Sequence, residues 1–230
     1  MPSLTVAEVA RVLDHAVLKP TYTSADLVAH AAMCVARGVG CLCVRPADVA
    51  AAVGHVQGSP VVVASVIGFP HGSHRSETKA LESRLAVADG ARELDMVMNV
   101  GAMLSGDRAR VHDDIAAVVA EAKPHGVPVK VILETCYLTP EQIAAACRLA
   151  EEARADFVKT STGFGSGGAT PEAVRVMLDT VGTRLRVKAS GGIRTWDDAV
   201  AYLQMGCARL GVGDAAAILD GRPAAGAGGY

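Results

Sequence analysis

Short, almost continuously apolar runs recur along the chain, and amphipathic or alanine-rich stretches separate them. Such runs are typical of strands that are buried on both faces, as in a parallel sheet covered by helices. We predict eight strands, at residues 14–18, 40–45, 61–67, 93–99, 128–134, 156–161, 185–190 and 207–211. Eight strands alternating with helices predict a single (β/α)8 TIM barrel, with a doubly wound sheet as the structural alternative.

The stretches between the strands carry signals for helix starts. Residues 107–122 repeat apolar side chains on one helical face, and Asp107 is suited to cap that helix. Thr139 opens a capping box with proline at the first helical position, while Thr170 and Thr195 precede further helices. We also expect a short N-terminal helix, a barrel domain over residues 1–219, and a glycine- and alanine-rich tail over residues 220–230.

Composition narrows the function classes. Half of the 230 residues are hydrophobic, which excludes a disordered chain, and the net charge of −2 lacks the basic footprint of a nucleic-acid binder. No apolar run reaches the roughly 18 residues that a membrane span needs, and the N-terminal residues do not resemble a signal peptide. The six cysteines then read as reduced thiols. We expect a cytoplasmic, globular, metal-independent protein with no nucleic-acid or membrane partner.

Three predicted strands carry a charge near their C-terminal ends, where barrel enzymes keep their active sites. The residues are Asp95, Lys159 and Lys188. A second ammonium group and burial both favour the free amine of a lysine, which can attack a carbonyl and form a Schiff base, while a carboxylate moves protons. A structural lysine–aspartate ion pair is the alternative. Lys130, near the start of its strand, is expected to be structural.

Glycine-rich loops follow the two strands that end in these lysines. Residues 163–168 formally match GxGxxG, but a turn whose amides approach an anion fits better than a dinucleotide site. Residues 190–192 form a second such loop, and the last two such loops of a barrel commonly bind phosphate. Plain turns are the alternative for both.

Two further features are weaker candidates. His71 and His74 have the spacing H-x-x-H, for which exposed loop histidines are a better interpretation than a zinc site. Cys43, at the C-terminal end of a strand, either lines the pocket or packs as a small core hydrophobe.

Six segments together resemble the deoxyribose-phosphate aldolase family, and the resemblance runs from about residue 9 to the C-terminus. They are DHAVLKP at 14–20, VIGFPHG at 66–72, ELDMVMN at 93–99, VKVILET at 129–135, VKTSTGF at 158–164 and KASGGIR at 188–194. The resemblance implies a TIM-barrel class I aldolase without metal or cofactor. Such enzymes reversibly cleave 2-deoxy-D-ribose 5-phosphate to D-glyceraldehyde 3-phosphate and acetaldehyde.

The resemblance also implies roles for single residues. Lys159 would form the Schiff base, Lys188 would perturb it, Asp95 would transfer protons, and Tyr230, the last residue, would assist the proton transfer. Substrate and phosphate contacts are expected at Thr162, Gly163, Ser190, Gly191, Gly192, Gly213, Asp214 and Cys43. The expected partners are a sugar phosphate, aldehydes and further copies of the chain, as a dimer or tetramer.

Two positions depart from the family pattern. Ala16 stands where the family usually has threonine, and Asp214 stands in a loop that usually carries serine and holds the phosphate. An acid there would occupy the helix-start amides and repel a dianion. A related Schiff-base aldolase for non-phosphorylated deoxysugars or simple aldehydes is therefore the alternative. An inactive sugar-phosphate-binding barrel and a barrel isomerase are more distant alternatives.

Overall fold

A computed structural model of the chain describes residues 4–222. Within that range, eight parallel strands pair in chain order and close into a barrel, with β1 also paired to β8. The strands are β1 (Leu13–Val17), β2 (Cys41–Val44), β3 (Val62–Ile67), β4 (Glu93–Val97), β5 (Val129–Ile132), β6 (Phe157–Lys159), β7 (Arg186–Ser190) and β8 (Arg209–Val212). The predicted (β/α)8 barrel is confirmed, and the doubly wound alternative is wrong because the sheet closes.

The helices cover the outside of the barrel. They are α1 (Val6–Val12), α2 (Ser24–Arg37), α3 (Val49–Val56), α4 (Ser76–Ala88), α5 (Val100–Leu104), α6 (Arg108–Ala122), α7 (Pro140–Glu152), α8 (Pro171–Val181), α9 (Trp196–Met205) and α10 (Ala215–Asp220). In the range that the structure describes, none of these helices is long and apolar enough to cross a membrane.

The predicted helix starts are confirmed by their hydrogen bonds. The Asp107 carboxylate accepts from the Arg110 amide at 3.1 Å, and Thr139 forms the reciprocal capping box with Gln142. Such caps satisfy amides that the first helical turn leaves without partners. The division into a barrel over 1–219 and a tail over 220–230 stays a prediction, because residues 223–230 lie outside the described residues.

The interior of the barrel has two different halves. A small apolar cluster fills the side formed by β1, β2 and β3, with Leu18, Cys41, Cys43, Ala64 and Val66 at its centre. The main apolar core lies outside the barrel wall, between the strands and the helices. Charged side chains from β4 to β8, together with Asp14 of β1, occupy the rest of the interior, and they position the candidate site.

Candidate active site

Asp95 of β4 is the centre of a buried charge network in the barrel. Its Oδ1 atom lies 2.6 Å from Lys130 Nζ of β5, and its Oδ2 atom lies 2.7 Å from both Lys159 Nζ of β6 and Lys188 Nζ of β7. Asp95 is fully buried, and Lys159 is 4 % exposed. The structure therefore brings together the three residues that were predicted from charges in apolar strands, and it adds a third lysine.

The position of Lys130 corrects the sequence interpretation. Its place early in the strand suggested a site apart from Lys159 and Lys188, but the strand register places it beside Asp95 of β4. Lys130 contacts the same carboxylate as the other two lysines and also lies 2.5 Å from Glu93 Oε2. It is an ion-pair partner inside the candidate site, so the expected separation from Lys159 and Lys188 is wrong, while its structural role stays a prediction.

The network continues toward the N-terminal end of the barrel through Asp14, Glu93 and Arg209. The sequence had not indicated these three residues as candidates for the site. Asp14 of β1 accepts hydrogen bonds from Lys188 and from the guanidinium of Arg209, whose Nε lies 2.8 Å from Asp14 Oδ1. Arg209 also binds Glu93 Oε1 at 3.0 Å. Within residues 4–222 the connected network holds three carboxylates and four basic groups.

The three lysines differ in their protonation. Burial lowers the pKa of Lys159, the single carboxylate Asp95 only partly compensates, and the nearby Lys188 charge lowers it further. Burial also opposes the charge on Lys188, but Asp14 and Asp95 together raise its pKa above the ordinary value. Asp95, Asp14 and Glu93 likewise raise the pKa of Lys130. Lys159 is therefore the lysine that most readily loses its proton.

Asp95 stays ionised despite its burial. Burial alone favours the neutral acid, but the ammonium groups of Lys130, Lys159 and Lys188 outweigh it and hold the pKa well below its usual range. The carboxylate is thus a fixed negative charge near neutral pH. It can orient amines, and it can exchange protons with them through the hydrogen bonds they already share.

A cavity of about 920 Å³ opens above this network at the C-terminal end of the barrel. It is lined by ten of the predicted site residues: Cys43, Lys159, Thr162, Gly163, Lys188, Ser190, Gly191, Gly192, Gly213 and Asp214. Asp95 lies beneath its floor, while Ala16 lines the wall without a hydroxyl group. Tyr230 lies outside the described residues.

The glycine loops shape one wall of the cavity. Gly163, Gly191 and Gly192 have φ values of +85°, +84° and +82°, which residues with a Cβ rarely adopt. A Cβ on Gly191 would also lie 3.0 Å from the Gly168 Cα, because the loops after β6 and β7 touch there. These glycines bring backbone close to any ligand in the cavity.

The side chain of Ser190 forms hydrogen bonds to the backbone of Ser161. Its hydroxyl donates to the Ser161 carbonyl at 2.6 Å and accepts from the Ser161 amide at 3.3 Å. Ser190 lines the cavity, as predicted, but its hydroxyl is engaged with Ser161 in the loop after β6.

The start of α10 already has acceptors for two of its amides. Asp214 caps the helix, and its Oδ1 accepts from the Ala217 amide at 3.0 Å. His15 Nδ1 accepts from the Ala215 amide at 3.3 Å, and its other ring nitrogen lies 2.8 Å from His30 Nδ1. Burial and the nearby His30 lower the pKa of His15 to about 4. The neutral His15 was missed in the sequence, where a single histidine beside Asp14 carries no distinct signal.

Cys43 faces both the apolar cluster and the cavity, so both sequence interpretations hold in part. It is 2 % exposed. Burial and the charge of Asp95 raise the pKa of its thiol to about 11, so the thiol stays protonated near neutral pH.

Within residues 4–222, the side chains that lie close enough together to share a metal ion do not include the two histidines of the H-x-x-H pair. His71 and His74 are exposed in the loop before α4. Among residues 4–222, Asp14, Cys41 and Glu93 form the one group of His, Cys, Asp or Glu with atoms close enough to share an ion. Both carboxylates already bind Arg209, so this group is part of the ion-pair network. All six cysteines lie in the described range and are free thiols.

Comparisons with known proteins agree with this geometry. The family model described as DeoC/LacD family aldolase matches residues 9–212. A deoxyribose-phosphate aldolase of Thermococcus kodakarensis is 47 % identical over 218 residues, covering 94 % of this chain and 97 % of that protein. One of Mycobacterium bovis is 50 % identical over 222 residues, with the same two coverages.

Solved structures give the same result. A protein from Coccidioides immitis, described as a putative deoxyribose-phosphate aldolase, superposes with a TM-score of 0.91 at 40 % identity, over 96 % of this chain and 87 % of that one. The deoxyribose phosphate aldolase of Aeropyrum pernix, described as tetrameric, gives 0.88 at 31 % identity, over 94 % and 91 % of the two chains.

Proposed function

The chain belongs to the DeoC/LacD aldolase family and is an aldolase, a carbon–carbon lyase. On that premise we propose that it reversibly cleaves 2-deoxy-D-ribose 5-phosphate to D-glyceraldehyde 3-phosphate and acetaldehyde. The observation that carries the proposal is a buried lysine with a lowered pKa, Lys159, beside a second lysine and one shared carboxylate, at the floor of an open cavity.

Lys159 is the proposed nucleophile. Its neutral amine adds to the C1 aldehyde of the open-chain sugar, and loss of water from the adduct gives an iminium. The C3 hydroxyl then loses its proton as the C2–C3 bond breaks. The electrons of the C2–C3 bond form a C1–C2 double bond, and the π electrons of the C–N double bond become the nitrogen lone pair, which releases glyceraldehyde 3-phosphate and leaves an enamine. Protonation at C2 and hydrolysis return acetaldehyde and the free amine.

Lys188 and Asp95 have proposed supporting roles. Lys188 keeps its own proton through Asp14 and Asp95, and its positive charge favours the neutral form of Lys159. Asp95 is proposed to move protons to and from the reacting carbons through water, because the carboxylate itself is fully buried. Tyr230, outside the described residues, is proposed to assist protonation at C2.

The proposed phosphate contacts lie at the glycine loops. Gly163, Gly191 and Gly192 line the cavity and carry no side chains of their own, so their backbone can come close to a ligand. Asp214 favours a second candidate function, an aldolase for non-phosphorylated deoxysugars or simple aldehydes, because its carboxylate lines the same cavity and caps α10. The ratio of kcat/KM for deoxyribose 5-phosphate to that for deoxyribose decides between the two.

We also propose a cytoplasmic location and a homo-oligomer. The six free thiols support the first, and the tetrameric Aeropyrum pernix relative supports the second. Size-exclusion chromatography with light scattering would report the mass of the assembly.

Borohydride trapping tests the central step. Wild-type protein incubated with acetaldehyde and then reduced should gain one ethyl group on Lys159, located by peptide mass spectrometry. Lys159→Leu should lose both the adduct and turnover, while the matched change at the exposed Lys123 should keep both. An adduct that forms on another lysine in Lys159→Leu would overturn the assignment.

A further inference from the structure

Glu134, at the end of β5, combines an unusual backbone with an unusual environment. Its φ of +54° and ψ of +61° are in the left-handed region, which a residue with a long side chain rarely adopts. The residue is only 3 % exposed. Backbone conformations of this kind persist where the surrounding structure requires them, and they concentrate at functional sites.

The bend at Glu134 allows β5 and β6 to stay paired beyond their ends. Leu133 donates to the Lys159 carbonyl at 2.9 Å, and Thr135 donates to the Thr160 carbonyl at 3.0 Å. Glu134 lies between these two bonds. The bend therefore turns the Glu134 side chain toward the loop that follows β6 without interrupting the contact between the strands.

The carboxylate of Glu134 holds Thr162, the third residue of that loop, by two bonds. Oε1 accepts from the Thr162 amide at 3.2 Å, and Oε2 accepts from the Thr162 hydroxyl. The Thr162 oxygen in turn accepts from the Phe164 amide at 3.0 Å. Within residues 4–222, the carboxylate forms no ion pair with a basic side chain, so these bonds are its main compensation for burial.

The loop also packs directly against this carboxyl group. A Cβ on Gly165 would lie 3.2 Å from the Glu134 Cδ atom, so a larger residue at 165 would crowd the carboxyl group. Thr162, Gly163 and Phe164 line the cavity. The shape of this cavity wall therefore depends on a side chain that does not itself line the cavity.

We propose that Glu134 is a positioning residue for the phosphorylated end of the substrate, acting by holding the turn at Thr162–Phe164 in its binding shape. The inference rests on the proposed function, since it concerns the substrate of that same site. Lys159 is held separately, by strand β6 and by Asp95. Glu134 thus governs binding of the sugar phosphate, and it leaves formation of the Schiff base with acetaldehyde unaffected.

Glu134→Gln is a sharp test because it conserves shape. A carboxylate accepts from both Thr162 donors, whereas the amide of glutamine has one accepting oxygen and places its own N–H groups toward the other donor. We expect KM for deoxyribose 5-phosphate to rise about 10-fold, as is typical when one buried group loses its partner. The rate of methyl proton exchange of acetaldehyde in D₂O should stay within about 2-fold. Glu141→Gln, on the exposed start of α7, is the matched control.

A double-mutant cycle locates the effect. Thr162→Val removes the hydroxyl that links the Phe164 amide to Glu134, so it should raise KM, and the double variant should be no worse than the more affected single variant. Additive increases in KM would overturn the proposal. If Glu134→Gln fails to fold, Glu134→Asp keeps both accepting oxygens on a shorter stem and should raise KM less than Thr162→Val does; an equal or larger rise would also overturn it.

The outcomes separate the two proposals. Wild-type protein that neither exchanges the methyl protons of acetaldehyde nor forms the borohydride adduct overturns the proposed function and, with it, the positioning role. Wild-type exchange with an unchanged KM in Glu134→Gln overturns the positioning role alone. So does a parallel loss of exchange and cleavage in Glu134→Gln, because it would place Glu134 in the shared chemistry.

Discussion

The Nζ atoms of Lys159 and Lys188 lie 2.7 Å from the same oxygen, Oδ2 of Asp95. Two ammonium groups that share one oxygen repel each other, and a carboxylate can offset that repulsion only partly. Lys188 has a second carboxylate, Asp14, whereas Lys159 has no second carboxylate among residues 4–222. This difference in partners explains why the two lysines shift their pKa values in opposite directions.

Lys188→Leu should move the pH dependence of the reaction upward. The lowered pKa of Lys159 means that the free amine, the nucleophile, appears at lower pH than it would for an ordinary lysine. Removing the Lys188 charge removes a like-charge neighbour and leaves Asp95 more available, and both changes raise the pKa of Lys159. The acidic limb of kcat/KM should therefore shift to higher pH. An unchanged limb, measured beside Lys123→Leu, would show that the two charges do not interact.

Asp95→Asn should slow proton transfer. The change keeps the size of the side chain but removes the charge that three lysines share, so it removes both the proton acceptor and the group that orients the amines. We expect a loss of about 10²–10⁴-fold in the exchange of acetaldehyde methyl protons with D₂O, followed by NMR. Exchange at the wild-type rate in a folded Asp95→Asn protein would place the proton transfer elsewhere.

Asp214→Ser should improve binding of the phosphorylated substrate. The carboxylate of Asp214 is exposed, lines the cavity and accepts from the Ala217 amide, and serine keeps a capping oxygen without the charge. An exposed like-charge contact is worth at most about 1 kcal/mol, so KM for deoxyribose 5-phosphate should fall about 5-fold or less. KM for free deoxyribose should change little, and equal changes for both sugars would contradict a direct effect on phosphate.

A buried ion pair outside the active site should matter for stability. Lys79 of α4 lies 2.5 Å from Asp114 Oδ2 of α6 and donates to the Val97 carbonyl at 2.8 Å, and both side chains are buried. Lys79→Met leaves the Asp114 charge without its partner and should lower the free energy of unfolding by about 3–5 kcal/mol. Adding Asp114→Leu should recover most of that loss in urea unfolding. If the losses in the free energy of unfolding from the two changes simply add in the double variant, the two residues do not act as a pair.

The sequence predicted the barrel and the centre of the site for the same physical reason. Strands buried on both faces are apolar throughout, so a charge such as Asp95, Lys159 or Lys188 stands out against them. Asp14 and Arg209 lie at strand starts, where polar residues are common, and they meet only because closure pairs β1 with β8. No pattern in a single sequence signals such a contact across 195 positions.

The environment of Glu134 could not be predicted from the sequence, for a different reason. The segment VKVILET has the pattern of a strand that ends near residue 134, and a largely apolar run of residues does not indicate a left-handed backbone. The consequence of that backbone, a carboxylate turned toward the next loop, depends on a φ angle that composition and periodicity do not encode.

The number of charges inside the barrel affects how stable the iminium is relative to the free amine and the enamine. Within residues 4–222, the network of three carboxylates and four basic groups is electrically balanced when Lys159 is neutral. In the proposed cycle the free amine and the enamine are neutral at that nitrogen, whereas the iminium restores the fourth positive charge. The buried surroundings therefore raise the free energy of the iminium relative to its neighbours on both sides. Bond cleavage, which turns the iminium into the enamine, removes the positive charge from this buried nitrogen, and the reverse addition restores it.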